Sequence, residues 1–219
     1  MGHEMTNISK ISRRNLLVGG VAFSAATPLI AQDLLEVLSK STPSQQLGPF
    51  YPTVRPLDQD SDLTRLSSSK GIASGKIINI FGTVFNHDGR PIAGAKLDLW
   101  QANEFGRYMH GGDLREELPL DPHFQGSAVL VTDNDGRYRF RTILPGIYAF
   151  GGAPRPRHIH FDISSRQARL VTQMYFPGEK ENALEDIKEG SLLVARTAKS
   201  LDDNQAVSAF NWDIKLPFG

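Results

Sequence analysis

The chain has 219 residues, with 24 Lys and Arg against 24 Asp and Glu, no Cys, and 40% hydrophobic, 22% charged and 9% aromatic content. That length holds one well-buried domain with an extension, or at most two small domains, and a formal charge of zero gives no electrostatic reason to expect nucleic acid or an anionic membrane surface as partner. The missing cysteine excludes disulfides, thiolate nucleophiles, Cys-ligated zinc and iron–sulfur clusters, so any metal must be held by His, Tyr, Asp, Glu or backbone oxygen.

The charge is unevenly placed: residues 1–31 hold Lys10, Arg13 and Arg14 against Glu4, three cations less one anion, and the remainder carries the compensating acid. Ser12-Arg13-Arg14-Asn15-Leu16-Leu17 runs into an apolar, Gly- and Ala-rich stretch that reaches Ala31 without a charge. Leu16 to Ala31 is shorter than the roughly 20 residues of a stable spanning helix, so no stable membrane span is expected once this segment is removed. The layout is that of a secretory signal, and the paired arginines resemble a twin-arginine export signal, which implies an exported bacterial protein, periplasmic or secreted.

From Gln32 to about Ser44 a short helix is expected, with Leu34, Leu35 and Leu38 at helical spacing, followed by a linker at Pro43. Asp58 to Gly75 is polar and reads as a surface excursion. Beyond Gly75, short runs rich in Val, Ile, Phe and Tyr alternate with turn clusters: Ile77–Phe85, Ala95–Gln101, Ala128–Thr132, Arg137–Ile143, His158–Ile163, Leu170–Phe176 and Ala206–Leu216. In the last run Phe210, Trp212, Ile214 and Leu216 share one face. Only Glu181–Glu189 reads as helical, with Ala183, Leu184 and Ile187 on one side. Together these predict an all-β fold, an antiparallel β-sandwich with long irregular loops and a short helix.

Two weak motifs carry no chemistry. Asp133-Asn134-Asp135-Gly136 opens like a calcium loop, but Leu144 stands where a bidentate Glu should close it, so a hairpin turn is expected. No Gly-rich phosphate loop and no Gly-x-Ser-x-Gly elbow is present.

The informative segment is Arg155-Pro156-Arg157-His158-Ile159-His160-Phe161. On an extended strand residues two apart share a face, so His158 and His160 project side by side, with Cα atoms about 7 Å apart. Such a pair converges on one ion at metal–nitrogen distances near about 2.1 Å, or simply faces solvent. Asp162 shares their face but would crowd the pair rather than oppose it. Tyr108, after Gly106-Arg107, and Tyr148, after Pro145-Gly146-Ile147, are the alternative partners. A phenolate with a free pKa near about 10 stays ionised at neutral pH only on a strongly acidic cation such as Fe(III).

These residues resemble the intradiol ring-cleavage dioxygenases, and within them the protocatechuate 3,4-dioxygenase type, specifically its β chain. The resemblance runs through Leu47-Gly48-Pro49-Phe50-Tyr51-Pro52, Gly82-Thr83-Val84, Gly89–Ala95, Leu97–Tyr108, Asp135–Tyr138, Arg141-Thr142-Ile143, Pro145–Tyr148, Arg155–Phe161 and Thr172-Gln173-Met174-Tyr175-Phe176, in one order. It implies Tyr108, Tyr148, His158 and His160 as ligands of a non-haem ferric ion, Arg155 as the active-site arginine, and Gln173 as a glutamine beside the metal ligands. It also implies a catechol-type substrate and O2 as co-substrate, with Tyr148 leaving the metal to take one substrate proton. The ring would open between its two hydroxylated carbons to a muconate-type dicarboxylate. Ala149-Phe150-Gly151-Gly152-Ala153-Pro154 is shorter than the family pattern, and Phe150 stands where an indole is common, so the pocket wall differs. The extra helical linker domain of catechol 1,2-dioxygenases is not expected here, which favours the protocatechuate type.

Three regions follow: 1–31 as a twin-arginine-type signal segment, 32–76 as an N-terminal helix, linker and arm, and 77–219 as the β-sandwich catalytic domain. A homo-oligomer is expected. Two readings compete with the enzyme: a secreted, noncatalytic β-sandwich binding module that retains a metal site, and a zinc hydrolase built on His158 and His160. Taken without the motif, Arg155 reads as a strand-anchoring salt bridge. Arg107, Arg141 and Arg157 are candidates for a substrate carboxylate. His87, His110 and His123 read as loop residues, and Tyr51, Trp100 and Trp212 as packing residues.

Overall fold

The computed structural model describes residues 40–55, 58, 60–200 and 207–218. The segment expected to be the export signal and most of the expected helix after Gln32 lie outside the described residues, and residues 40–44 have no helical backbone.

Among the described residues eleven strands follow in chain order: β1 (Ile77–Phe85), β2 (Lys96–Trp100), β3 (Ser127–Val131), β4 (Arg137–Ile143), β5 (Tyr148–Phe150), β6 (Ala153–Arg155), β7 (His158–Ser164), β8 (Arg169–Tyr175), β9 (Arg196–Ala198), β10 (Ser208–Asn211) and β11 (Ile214–Lys215). In the first sheet β1 is central, paired with antiparallel β4 on one side and with parallel β10 and β11 on the other, and β9 pairs antiparallel with β10. The second sheet is wholly antiparallel, in the order β3-β2-β7-β8. A separate small hairpin joins β5 and β6.

The core forms where the alternating inner faces meet. Ile78, Ile80 and Val84 of β1 and Tyr138 and Phe140 of β4 pack against Leu97 and Leu99 of β2, Ile159, Phe161 and Ile163 of β7, and Met174 of β8. Period-2 alternation dictates the rest: with Ile159 and Phe161 turned inward, His158 and His160 stand on the outer face of the second sheet. There the register sets Trp100 and Gln173 on either side of His160, and Tyr175 beside His158.

That outer face would be wet in an ordinary two-layer sandwich. Here an N-terminal arm covers it, held by Thr42 N–H on the Lys215 carbonyl (2.9 Å), Gln45 N–H on the Val171 carbonyl (2.9 Å), and the Thr172 hydroxyl donating to the Pro43 carbonyl (2.8 Å). His158 and His160 are consequently 2% and 1% exposed.

Several sequence expectations need correction. Asp58 to Gly75 is no mere surface excursion: Leu63 and Ala73 are buried in the core, because Leu63 N–H and Arg141 N–H clip this segment to β4 (2.9 Å to the Arg141 carbonyl and 2.7 Å to the Ser61 carbonyl). The expected helix over Glu181–Glu189 is instead a short 3₁₀ helix, Lys180–Glu185. Its buried residue is Asn182, whose amide donates to the Phe176 carbonyl (2.9 Å), whereas Leu184 is 59% exposed. The face expected over 206–216 largely holds, with Trp212, Ile214 and Leu216 buried in the core and Phe210 packed against it, but the strand is interrupted between β10 and β11, and Ala209 of β10 is buried as well. Gly82 makes that seam possible, since a Cβ there would strike the Trp212 carbonyl, which also accepts the Tyr138 hydroxyl (2.6 Å). The three-residue strands β5, β6 and β9 are too short for periodicity to mark.

Among the described residues no helix is long and apolar enough to cross a membrane. Asp133 to Gly136 forms a tight turn, with Asp133 Oδ1 accepting Asp135 N–H (2.9 Å) and Arg137 N–H (2.8 Å), as its composition predicts.

Candidate metal centre

Three elements carry the four candidate ligands. His158 and His160 come from β7, Tyr148 opens β5, and Tyr108 follows the loop after β2. That loop is shaped by the buried Asn103, whose Oδ1 accepts Phe105 N–H and Arg107 N–H (both 3.0 Å) and whose carbonyl accepts Gly146 N–H (2.8 Å). One asparagine therefore ties the Tyr108 loop to the turn that leads into Tyr148. Gly106, with φ of 83°, lets the two loops touch, because a Cβ there would lie 2.8 Å from the Ile147 carbonyl oxygen. Asp113 Oδ2 then accepts Tyr108 N–H (2.8 Å).

The four polar tips meet. Tyr108 Oη lies 3.5 Å from Tyr148 Oη, 3.4 Å from His158 Nε2 and 3.2 Å from His160 Nε2; Tyr148 Oη lies 3.4 Å from His158 Nε2; and the two Nε2 atoms are 3.2 Å apart. Most of these separations are longer than good hydrogen bonds, yet all are close to the edge of a tetrahedron whose centre is about 2.0–2.1 Å from each corner. Four buried polar atoms arranged in this way suit one shared cation better than one another. Among the described residues no three His, Cys, Asp or Glu side chains converge, so the histidine pair finds its partners in tyrosine. Asp162 turns away, binding Arg169 through two contacts (2.9 and 2.7 Å).

Electrostatics favours neutral imidazoles. Burial, with help from the nearby Arg155 charge, pulls His158 down to about 4, and its Nδ1 lies 2.7 Å from the Pro156 carbonyl. Donation from Nδ1 leaves the Nε2 lone pair facing the centre, the tautomer a metal ligand requires. Burial also lowers His160, and burial followed by the neighbouring Tyr148 raises Tyr108 well above an ordinary phenol. Without a cation Tyr108 therefore stays protonated, and a strong Lewis acid is what would ionise it.

Packing holds the donors still. Trp100 stacks flat on His160, centroids 4.9 Å apart and planes 4° apart, and Phe50 stacks on Tyr108 at 4.8 Å. Gly48, with φ of 75°, brings the arm onto His160, where a Cβ would stand 3.1 Å from Cε1. Gly48→Ala is expected to cost about 1–2 kcal/mol of backbone strain and to tilt His160 from the other three donors. Less metal bound per chain, with an unchanged far-ultraviolet circular dichroism spectrum, is the expected measurement.

The other predicted residues divide clearly. Arg155 pairs across the small hairpin with Tyr148, and its Nη2 donates to Gln173 Oε1 (3.0 Å), so both reach the site. Arg107 donates to the Leu118 carbonyl (2.7 Å), Arg157 is bonded to the Pro145 carbonyl, and Arg141 lies on β4 of the other sheet. None of the three is brought to the four donors. His110 accepts Gly112 N–H (3.0 Å), His123 bonds to Ser69, and His87 pairs with Asp88 (3.1 Å), all loop contacts as expected. Sequence reasoning missed Arg115, whose guanidinium is held by Asp113 (2.5 and 2.7 Å) and sits 4.7 Å over the Tyr148 ring, and it took Trp100 only for packing. Phe50 belongs to the Leu47-to-Pro52 motif, and alternation along β2 could have put Trp100 on the histidine face; nothing in the sequence pointed to Arg115.

Comparison with known proteins points to one family. The dioxygenase family model matches residues 47–217. The protocatechuate 3,4-dioxygenase β chain of Burkholderia cepacia is 38% identical over 182 residues, covering 79% of this chain and 73% of the relative. Catechol 1,2-dioxygenase of Acinetobacter baylyi is 30% identical over 167 residues, 68% of this chain and 50% of the relative. The chain thus spans about half the length of that longer relative. Among solved structures, the dioxygenase domain of a dioxygenase–carbohydrate-binding fusion from Streptomyces sp. SirexAA-E superposes with a TM-score of 0.61 at 28% identity, covering 82% of this chain and 99% of that one. Catechol 1,2-dioxygenase from Acinetobacter sp. ADP1 gives 0.63 at 26% identity, covering 87% and 67%. The sandwich, its two-tyrosine, two-histidine cluster and these matches together place the chain in the intradiol dioxygenase family, oxidoreductases that act on aromatic rings.

Proposed function

We propose that the protein is a non-haem Fe(III) enzyme that inserts both atoms of O2 into a catechol-type substrate, protocatechuate or another catechol derivative. The convergence of Tyr108, Tyr148, His158 and His160 carries this reading, because two phenol oxygens and two neutral imidazoles form a donor set matched to a ferric ion. When bound, the ion supplies chelation of both catechol oxygens and the activation that lets O2 attack the ring, which opens between the hydroxylated carbons to a muconate-type dicarboxylate.

The side chains do the remaining work. Tyr148 Oη takes one catechol proton, a role for which a phenolate is basic enough. The Arg155 guanidinium, beside Tyr148 and Gln173, stabilises negative charge that develops on the ring and its oxygens. Trp100 and Phe50 keep His160 and Tyr108 from reorienting and keep water from their buried faces. Export by the twin-arginine route and assembly as a homo-oligomer belong to the same proposal, and exposed Val54 and Leu114 near the Tyr108 loop offer apolar surface for the latter.

The test is direct. Purified protein is expected to contain about one iron per chain, to show a red-brown phenolate-to-Fe(III) absorption, and to consume O2 with at least one member of a panel of catechol, protocatechuate, hydroxyquinol and substituted catechols. A colourless zinc protein, or an iron protein inert toward the whole panel, rejects it.

A further inference from the structure

Arg155 does not stand alone. Its Nε donates to Glu185 Oε1 (2.6 Å) and its Nη2 to Glu185 Oε2 (2.9 Å), a two-point contact that fixes the plane of the guanidinium. The same Oε2 accepts the Tyr175 hydroxyl (2.9 Å), which lies 3.0 Å from Gln173 Oε1 as well. Gln173 Oε1 also accepts Arg155 Nη2, and its amide nitrogen donates to the Gln46 carbonyl of the arm (2.8 Å). Four side chains thus form one cluster directly beside His158 and His160, whose register partners are Tyr175 and Gln173, with the single Tyr175 hydroxyl proton shared between the Glu185 and Gln173 oxygens.

Glu185 comes from the last position of the 3₁₀ turn, outside every motif that carries the family resemblance. Its place is secured locally. Asp186 follows in the left-handed region (φ 54°), and Asn182 anchors the turn to the Phe176 carbonyl. Exposed ion pairs contribute little, but this carboxylate is only 23% exposed, meets Arg155 at two points and shares an oxygen with a second donor. Removing it would free a long, flexible cation beside the four donors and leave the Tyr175 hydroxyl with Gln173 Oε1 as its remaining acceptor in this cluster.

We propose that Glu185 is a positioning residue of this site: its carboxylate holds the Arg155 guanidinium, and through Tyr175 the Gln173 amide, in the orientation the reaction uses. The proposal rests on the functional reading above. Glu185 touches neither the substrate nor the four donors; it acts through Arg155.

The experiment compares wild-type enzyme with Glu185→Gln, Glu185→Asp and Arg155→Ala, each loaded with iron and assayed with the catechol that the wild-type enzyme turns over. For Glu185→Gln the expected result is wild-type iron content and an unchanged resting phenolate-to-Fe(III) band, with kcat lower by on the order of 10- to 100-fold and KM nearly constant. Glu185→Asp, which keeps the charge on a shorter stem, should recover part of kcat. The absorption change on adding catechol without O2 provides a second readout and should be altered in Glu185→Gln. Loss of iron and melting temperature with wild-type kcat per bound iron would mean a merely structural role and overturn the proposal. A Glu185→Gln enzyme equal to wild type, beside an impaired Arg155→Ala, overturns the positioning role alone, and a fully active Arg155→Ala overturns it too. Wild-type protein that consumes no O2 with any catechol overturns the functional reading and the positioning role with it.

Discussion

Replacing Tyr108 or Tyr148 by Phe is expected to remove one component of the visible absorption and to cut turnover per chain by on the order of 100-fold or more, while the sandwich stays folded. Each substitution deletes a single oxygen from a cluster whose neighbouring atoms lie 3.2–3.5 Å apart and leaves ring packing intact, since Phe keeps the stack on Phe50 at position 108 and the surface beneath Arg115 at position 148. The two variants should nevertheless differ. Tyr108 is enclosed, with the hydroxyl in contact with both imidazoles, so its loss should lower iron content. Tyr148 is the ligand proposed to take a substrate proton, so Tyr148→Phe should lose more in kcat than in bound iron. Iron analysis, the visible spectrum and O2 uptake on the same samples distinguish the two. Wild-type colour in both variants would remove the tyrosines from the centre.

A second large effect belongs to the core. Phe161 is fully buried one residue beyond His160, with its ring 4.9 Å from Trp212 and 6.1 Å from Phe140 across the sandwich. Phe161→Ala is expected to cost about 3–5 kcal/mol, a large part of the roughly 5–15 kcal/mol that holds a domain folded. Because β7 carries both imidazoles on its other face, metal binding should fail together with the fold, in contrast to the tyrosine variants. Chemical denaturation followed by circular dichroism checks this: a lower midpoint with an unchanged slope is the expected pattern. A midpoint within error of wild type would mean that Phe161 is not part of the central packing.

Much of this site was legible because strand geometry is simple. His-Ile-His-Phe on an extended strand puts two imidazoles on one face and two apolar side chains on the other, and the structure keeps that division. Turn chemistry likewise marked Asp133 to Gly136, and the bounds of Ile77–Phe85 and Arg137–Ile143 follow from their alternation. The helix expected over Glu181–Glu189 failed for an instructive reason. Ala183, Leu184 and Ile187 have helical spacing, but spacing shows only that a face could be buried, not that a surface is available to bury it. The chain instead buries Asn182, whose amide finds the Phe176 carbonyl, and leaves Leu184 in solvent.

The sequence by itself determined the alternation that makes a sandwich, the pairing of His158 with His160, the absence of cysteine ligands, and, through its motifs, which tyrosines to look for. Only the tertiary structure decided what surrounds them. Trp100 meets His160 because β2 and β7 pair in one register, the outer face is dry because an arm more than a hundred residues away in sequence crosses it, and Glu185 reaches Arg155 because a short turn after β8 folds back toward the small hairpin. Local periodicity fixes which way a side chain points. Which partner waits there depends on long-range pairing that no local pattern encodes.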